Sequence, residues 1–352
     1  MSARKKTIVA PAKKAKKAPR IKKSSPAAPT ITLSREAYGT NARASAIADF
    51  AELVVLQGND TINADDLRDR LKDSDIALPR EKYSAPGDDE SDSDDQDGDD
   101  SDADGLGLKD ERFADSARRV FALLAERQRI LKTRYPFELL SERLTLRPSD
   151  AVYDPYLALL AMTVAHAHAV TTSHDPKRIF EVTVARVLSS RGWRAANVAR
   201  LSKAQRGAKG FVDTLKQVCE AVGLEHDVSN VILSHSANDA GVDTVAHNSW
   251  DDQRPGKWTL IGQATLAISD NWPVKLAEPK SPLWATMFKE HVQPLPFLAV
   301  PHHVEPLHLR KLVQDSGKVV LDRLRLALFD STISQEERDI LASVRGCAVE
   351  YR

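Results

Sequence analysis

Apolar residues recur at helical spacing through the first half of the chain. In "DERFADSARRVFALLAERQRILKTRY", Phe113, Ala117, Val120, Leu124, Arg127 and Leu131 mark one stripe with a charged end, and Pro136 stops the helix. Upstream, "SREAYGTNARASAIADFAELVVLQ" and "NADDLRDRLKDSD" read as helices, the second with Asn63 as its N-cap. "DPYLALLAMTVAHAHA" carries Pro155 in its first turn and is apolar nearly all round, which predicts a buried helix.

From about Ser173 the pattern changes. "DPKRIFEVTVARVLSSRGW" predicts a helix with Pro176 in its first turn and Gly192 just past its end, and "FVDTLKQVCEAVGL" another, closed by Gly223. "VSNVILS", "GVDTVAH" and "KWTLIGQAT" read as three strands, "SPLWATMFKEHV" as a helix, "LPFLAVP" as a buried strand and "LHLRKLVQDSGKVVLDRLRLALFD" as helical. With the helical insertion near Ala195–Gly223 set aside, the order is helix, three strands, helix, strand, helix. This is an α/β arrangement, a sheet covered by helices, without internal repeat.

Charge divides the rest. The formal net charge of zero conceals ten Lys/Arg between Arg4 and Lys23 with no acid, and eleven acids between Asp88 and Asp104 with no base. Neither block holds enough apolar surface to offset chain entropy, so both are expected to be disordered. The clustered lysines suit a solvating segment or an arm that attracts nucleic acid, for which the acidic run would compete. The expected organisation is a basic tail at 1–34, a small helical unit at 35–85, an acidic linker at 86–108, a helical region at 109–172, an α/β domain at 173–330 and a C-terminal extension at 331–352.

Cys219 and Cys347 form neither a disulfide framework nor a CxxC metal site, which suits a reducing, cytoplasmic compartment. "TIVAPA" is too short for a secretory core and "YLALLAMTVAHAHAV" too short for a membrane span, so no membrane partner is expected. No GxxxxGK[ST] loop, nucleophile elbow or papain-like context is present. His166 and His168 point to different faces of their helix, and His302, His303 and His308 lack metal-ligand spacing and read as strand-end and loop residues. Trp193, Trp250, Trp258, Trp272 and Trp284 suit core or hairpin packing better than base stacking.

The hairpin carries the candidate chemistry. With the turn centred at Gln253, Asp243 stands opposite Gln263, and directly paired side chains lie about 4.5–5.5 Å apart. A carboxylate and an amide oxygen at that separation can share a hard cation such as Mg²⁺, with Glu181 on the preceding helix as a third oxygen donor. Each residue also has a plainer reading: Asp243 as a turn cap after "SHSAND", Gln263 as a buried amide satisfied by backbone, Glu181 as a first-turn acid, and Asp239 as part of the turn.

"GVD" (Gly241–Asp243), "GQAT" (Gly262–Thr265) and the upstream "FEVTVARVLSSRGW", in that spatial logic and chain order, resemble the Mrr-type branch of the PD-(D/E)XK restriction-endonuclease-like nucleases over roughly Pro176–Leu328. The resemblance implies an αβββαβ core with a mixed sheet flanked by helices. It also implies a metal-dependent endonuclease acting on DNA, in the setting of prokaryotic restriction or antiphage defence. Asp243, Gln263 and Glu181 would hold Mg²⁺ or Mn²⁺, and a separate motor or sensor subunit and a homo-oligomer are compatible partners. Thr265 departs from the family's lysine. Either Lys275, with Lys280 second, takes over that role, or the site is inactive and the fold binds DNA or serves as a scaffold.

Overall fold

The computed structural model describes residues 29–32, 37–58, 61–79, 105–198, 211–227, 229, 241–248, 252, 254, 256–290, 292–329 and 332–350. Among these, α1 (Arg43–Gly58), α2 (Ala64–Asp73) and α3 (Gly105–Leu131) form the first helical layer. Asn63 caps α2 as expected: its side chain accepts the Asp66 N–H while the Asp66 carboxylate takes the Asn63 N–H, satisfying two donors that the helix end leaves open. Every member of the α3 stripe is buried, including Arg127, the residue that looked like its charged end. α4 (Asp154–Ala167) is buried continuously from Tyr156 to Ala165, which its all-round apolar sequence requires.

Residues 109–172, expected to be helical, also contain a β-hairpin. β3 (Phe137–Leu140) and β4 (Arg143–Leu146) pair antiparallel, and β4 also pairs with the short β2 (Ile62–Asn63). The turn uses Ser141 and Glu142 in the left-handed region (φ 49° and 58°), without the glycine or asparagine that would announce it in a sequence.

The α/β half begins with α5 (Pro176–Ser190), followed by β5 (Trp193–Asn197), α6 (Phe211–Val222), β6 (Thr244–Asn248) and β7 (Thr259–Ala264). Then come α7 (Trp272–Ala277), α8 (Ser281–Met287), β8 (Leu295–Ala299), α9 (Pro306–Ser316), β9 (Val319–Leu321) and α10 (Arg323–Ala327). The five strands lie in sequence order, β5–β6–β7–β8–β9, with the first two pairings antiparallel and the last two parallel. The sheet is therefore mixed and flanked by helices. Its first strand is Trp193–Asn197, which sequence patterning had assigned to a helical insertion; the expected strand "VSNVILS" falls largely outside the described residues.

Strand alternation separates the two faces. Ala246, Ala264, Phe297 and Ala299 pack with Phe180, Val184 and Leu188 of α5. Val245 and Ile261 turn the other way, toward Leu215 and Val218 of α6 and Trp284 of α8. On that second face Leu298 and Val320 meet Trp272 and Leu276 of α7 and Leu312 of α9.

The boundaries expected from the sequence do not divide the core. One apolar cluster runs from Ile31 through α1, α3, α4 and the sheet to Cys347. Thr30–Thr32 (β1), expected inside a structureless tail, pairs in parallel with Ala348–Glu350 (β10), and α11 (Gln335–Arg345) buries Ile340, Leu341 and Val344 against the rest. Arg323 of α10 grips Asp49 of α1 through two bonds of 2.6 and 2.7 Å. Arg127 Nη1 stands 2.8 Å from both Asp49 and Glu52. Among the described residues, no helix is long and apolar enough to cross a membrane.

Candidate active site

β6 and β7 pair Thr244 with Gly262 and His247 with Thr259, the register of a hairpin centred at position 253. Asp243 precedes the last pair and is fixed by three groups. Its N–H donates to the Gly262 carbonyl (2.8 Å), and its own carbonyl accepts the Val198 N–H (2.8 Å) and the Asn197 amide (3.1 Å). Its side chain then reaches past Gln263, where Oδ2 accepts the Ala264 N–H at 2.9 Å. The carboxylate thus brackets Gln263 between a main-chain and a side-chain bond, and it satisfies a strand donor that β6 is too short to reach.

Gln263 is 5% exposed. No hydrogen bond among the described residues engages its carboxamide, and neither amide atom is among those shut off from solvent without a partner, so the amide is in reach of solvent. Its parallel-strand neighbour is Leu298, so Gln263 faces α7 and α8. Gly262 must be glycine because a Cβ would stand 2.4 Å from the Phe297 ring. Gly241 (φ +73°) is required for a second reason: a Cβ there would stand 2.9 Å from the Glu278 carbonyl oxygen. That close approach lays the end of α7 beside the Gly241–Asp243 turn.

Lys275 of α7 consequently stands on the Gln263 side of the sheet, half-buried, with Nζ 2.7 Å from Glu278 Oε1. Glu278, three residues after Lys275, is not among the residues the sequence singles out; the contact with Gly241 brings it to the site. Lys280, at the N-cap of α8, is exposed. Thr265 is buried and used locally: Oγ1 accepts the Ala267 N–H at 3.1 Å, and its N–H donates to the Ala299 carbonyl at 3.0 Å. The position where the resemblance implies a lysine is thus a turn-forming hydroxyl.

The structure brings Asp243, Gln263 and the Lys275–Glu278 pair to one end of the sheet, and Glu181 is held, buried, on α5. Among the described residues no three His, Cys, Asp or Glu side chains gather closely enough to hold a metal ion. Asp243 and the Gln263 amide oxygen are hard donors of the type Mg²⁺ takes, with solvent and substrate oxygens able to fill its remaining positions. Asp239 and Trp250 lie outside the described residues.

His302 and His303 are buried in the loop after β8, and His308 lies in the first turn of α9. Trp272 and Trp284 are core residues, whereas Trp258 at the hairpin is 60% exposed. Comparison of the chain with protein-family models, with curated proteins and with solved structures returned no match.

Proposed function

We propose that the chain is a metal-dependent endonuclease that hydrolyses DNA phosphodiester bonds at the Asp243–Gln263 end of its sheet. The observation that carries this reading is the Gln263 carboxamide, standing beside a fixed carboxylate and engaged by no protein group among the described residues. An amide oxygen left open in this way can donate its lone pair to a hard cation shared with the carboxylate. The order α5, β5, β6, β7, α7–α8, β8, with α6 inserted, supports the αβββαβ comparison drawn from the sequence.

In this reading Asp243 and Gln263 hold Mg²⁺ or Mn²⁺, which when bound supplies charge to the phosphodiester and acidifies an attacking water. Asp243 contributes a carboxylate whose direction is fixed by Ala264. Lys275 contributes a positive charge on the same face, released from Glu278 when a phosphate competes for it. Glu181 of α5 is the third oxygen donor in this reading.

The test is nicking of supercoiled plasmid in Mg²⁺ by the parent and by Asp243→Asn, which can still accept from Ala264 and so protects the fold. Loss of at least about a hundredfold in rate is expected, the scale seen when a key electrostatic group is removed from a hydrolytic site. Equal nicking by the two proteins defeats the assignment.

A second reading has its own support. Thr265 is committed to a turn, and Lys275 is paired with Glu278. A fold in this state would bind DNA without cutting it. Mobility shift of duplex DNA by the parent, with no nicking in either Mg²⁺ or Mn²⁺, would favour it.

A further inference from the structure

A cleft of about 620 Å³ opens between the helical layer and α9, within the size range of small-molecule sites and at the kind of seam where they occur. Its walls are the residues leading into α1, Leu78 and Pro79, one side of α3, and the start of α9. Charge accounting shows what it lacks. Both acids on its walls are partnered: Glu305 by Arg119 at 2.7 Å, and Glu126 by His303 at 3.4 Å and Arg129 at 3.7 Å. Arg43 and Lys311 line the same cleft and have no ion-pair or hydrogen-bond partner among the described residues.

Two further groups await acceptors or donors. Arg43 Nε and His308 Nε2 are shut off from solvent and make no hydrogen bond. The first turn of α9 opens toward the cleft, and its N-cap, Glu305, makes no side-chain capping bond, so the positive end of an eleven-residue helix adds to the two cations. Leu78, Leu123 and Leu307 give the cleft an apolar wall, and Leu307 is 61% exposed, which is unusual for a leucine with nothing to cover.

We propose that this cleft binds a nucleotide-class ligand, with its phosphate on Arg43, Lys311 and the start of α9 and its ring system against Leu78, Leu123 and Leu307. The cleft is also tied to the candidate active site. Thr40, on its wall, donates its N–H to Asp270 at 2.9 Å, and Asn41 donates to Ser269 Oγ at 3.0 Å. Ser269 and Asp270 lie in the loop that leaves β7 after Gln263 and Thr265. A ligand that orders the entry to α1 therefore acts on that loop.

The experiment is titration calorimetry of the full chain with ATP in EDTA, beside inorganic pyrophosphate at the same ionic strength. Saturable ATP binding is expected, tighter than pyrophosphate, and weakened at least about tenfold by Lys311→Glu and by Leu307→Asp, both at exposed positions that leave the core intact. Absence of saturable ATP binding at millimolar concentration overturns the proposal. So does unchanged ATP affinity in Lys311→Glu, which would put the anion elsewhere, including on the Arg4–Lys23 block. Pyrophosphate binding as tightly as ATP overturns the nucleotide assignment. Cleavage is not read in this experiment, so its failure and failure of the nuclease reading are distinguishable.

Discussion

Removal of Asp49 tests how the helical layer is joined to the α/β half. Asp49 and Arg323 are both 1% exposed or less and 274 positions apart, and they meet in a two-bond pair. Arg323 also donates to the Pro301 carbonyl at 2.7 Å and to Thr163 Oγ1 at 3.2 Å. Arg127 shares Asp49 and Glu52, and Tyr156 donates to Glu52 at 2.8 Å. Two guanidiniums thus face two carboxylates with no water-exposed atom to relieve an imbalance. Burial by itself raises the Asp49 carboxyl, but Arg323 and then Arg127 outweigh it and hold it well below the usual carboxylate range.

Asp49→Ala leaves Arg323 and Arg127 with Glu52 alone. Breaking a buried pair on one side costs about 3–5 kcal/mol, because the remaining charge stays desolvated. At about 2 °C per kcal/mol for a chain of this size, the midpoint of thermal unfolding should fall by roughly 6–10 °C. The double variant Asp49→Leu/Arg323→Met removes both charges and should recover most of that loss. Circular dichroism melts of the parent, Asp49→Leu, Arg323→Met and the double variant complete the cycle, with Asp49→Ala beside them. A fall below about 2 °C in Asp49→Ala, or strictly additive losses in the double variant, would refute the claim that these groups act as one buried unit.

Three other outcomes follow from particular positions. Gly262→Ala drives a Cβ to 2.4 Å from the Phe297 ring, itself 1% exposed, so the urea midpoint should report a loss of about 1–3 kcal/mol; an unchanged midpoint would show that the ring has room to move. Thr265→Lys, which restores the lysine implied by the resemblance, buries an ammonium and gives up the bond to Ala267; it should cost about 1–3 kcal/mol and gain no plasmid nicking, and faster nicking would reassign the position to chemistry. Burial, and secondly the charge of Arg323, lower the His302 imidazole to about 3, against an unfolded value of about 6.5. Between those values the unfolded chain holds the extra proton, so stability should rise with pH across that window and be lost as pH falls. His302→Phe should flatten the dependence in urea titrations between pH 4.5 and 7, and an identical slope in both proteins would remove His302 as its source.

Periodicity in the sequence was sufficient wherever an element carries its own pattern. The α3 stripe, the Asn63 cap, the buried α4, the strand at Leu295–Ala299 and the hairpin register are all of this kind. Trp193–Asn197 was missed because "WRAAN" has two alanines and no β-branched residue, a composition that favours helix, while pairing with β6 decides the outcome. Gly317 at φ +64° ends α9 and allows Val319–Leu321 to become an edge strand in a stretch that reads as one helical run. At the candidate site, Asp243 and Gln263 were legible because they share a hairpin, whose geometry is local. Where Glu181 stands relative to them is not a local property, because the side of the sheet that a helix covers depends on the whole packing arrangement. The Asp49–Arg323 pair left no signal at all, since nothing local distinguishes a charged residue that will be buried by a partner hundreds of positions away.

The pairing of Thr30 with Ala348 has a consequence for how the molecule comes into being. During synthesis β1 emerges early and has nothing to bind until the chain has grown by more than three hundred residues. Asp49 finds Arg127 within the helical layer but waits almost as long as β1 for the two bonds from Arg323. Contacts of such separation tie the helical layer to the far end of the chain, so these two cannot form while either of their halves is still unmade.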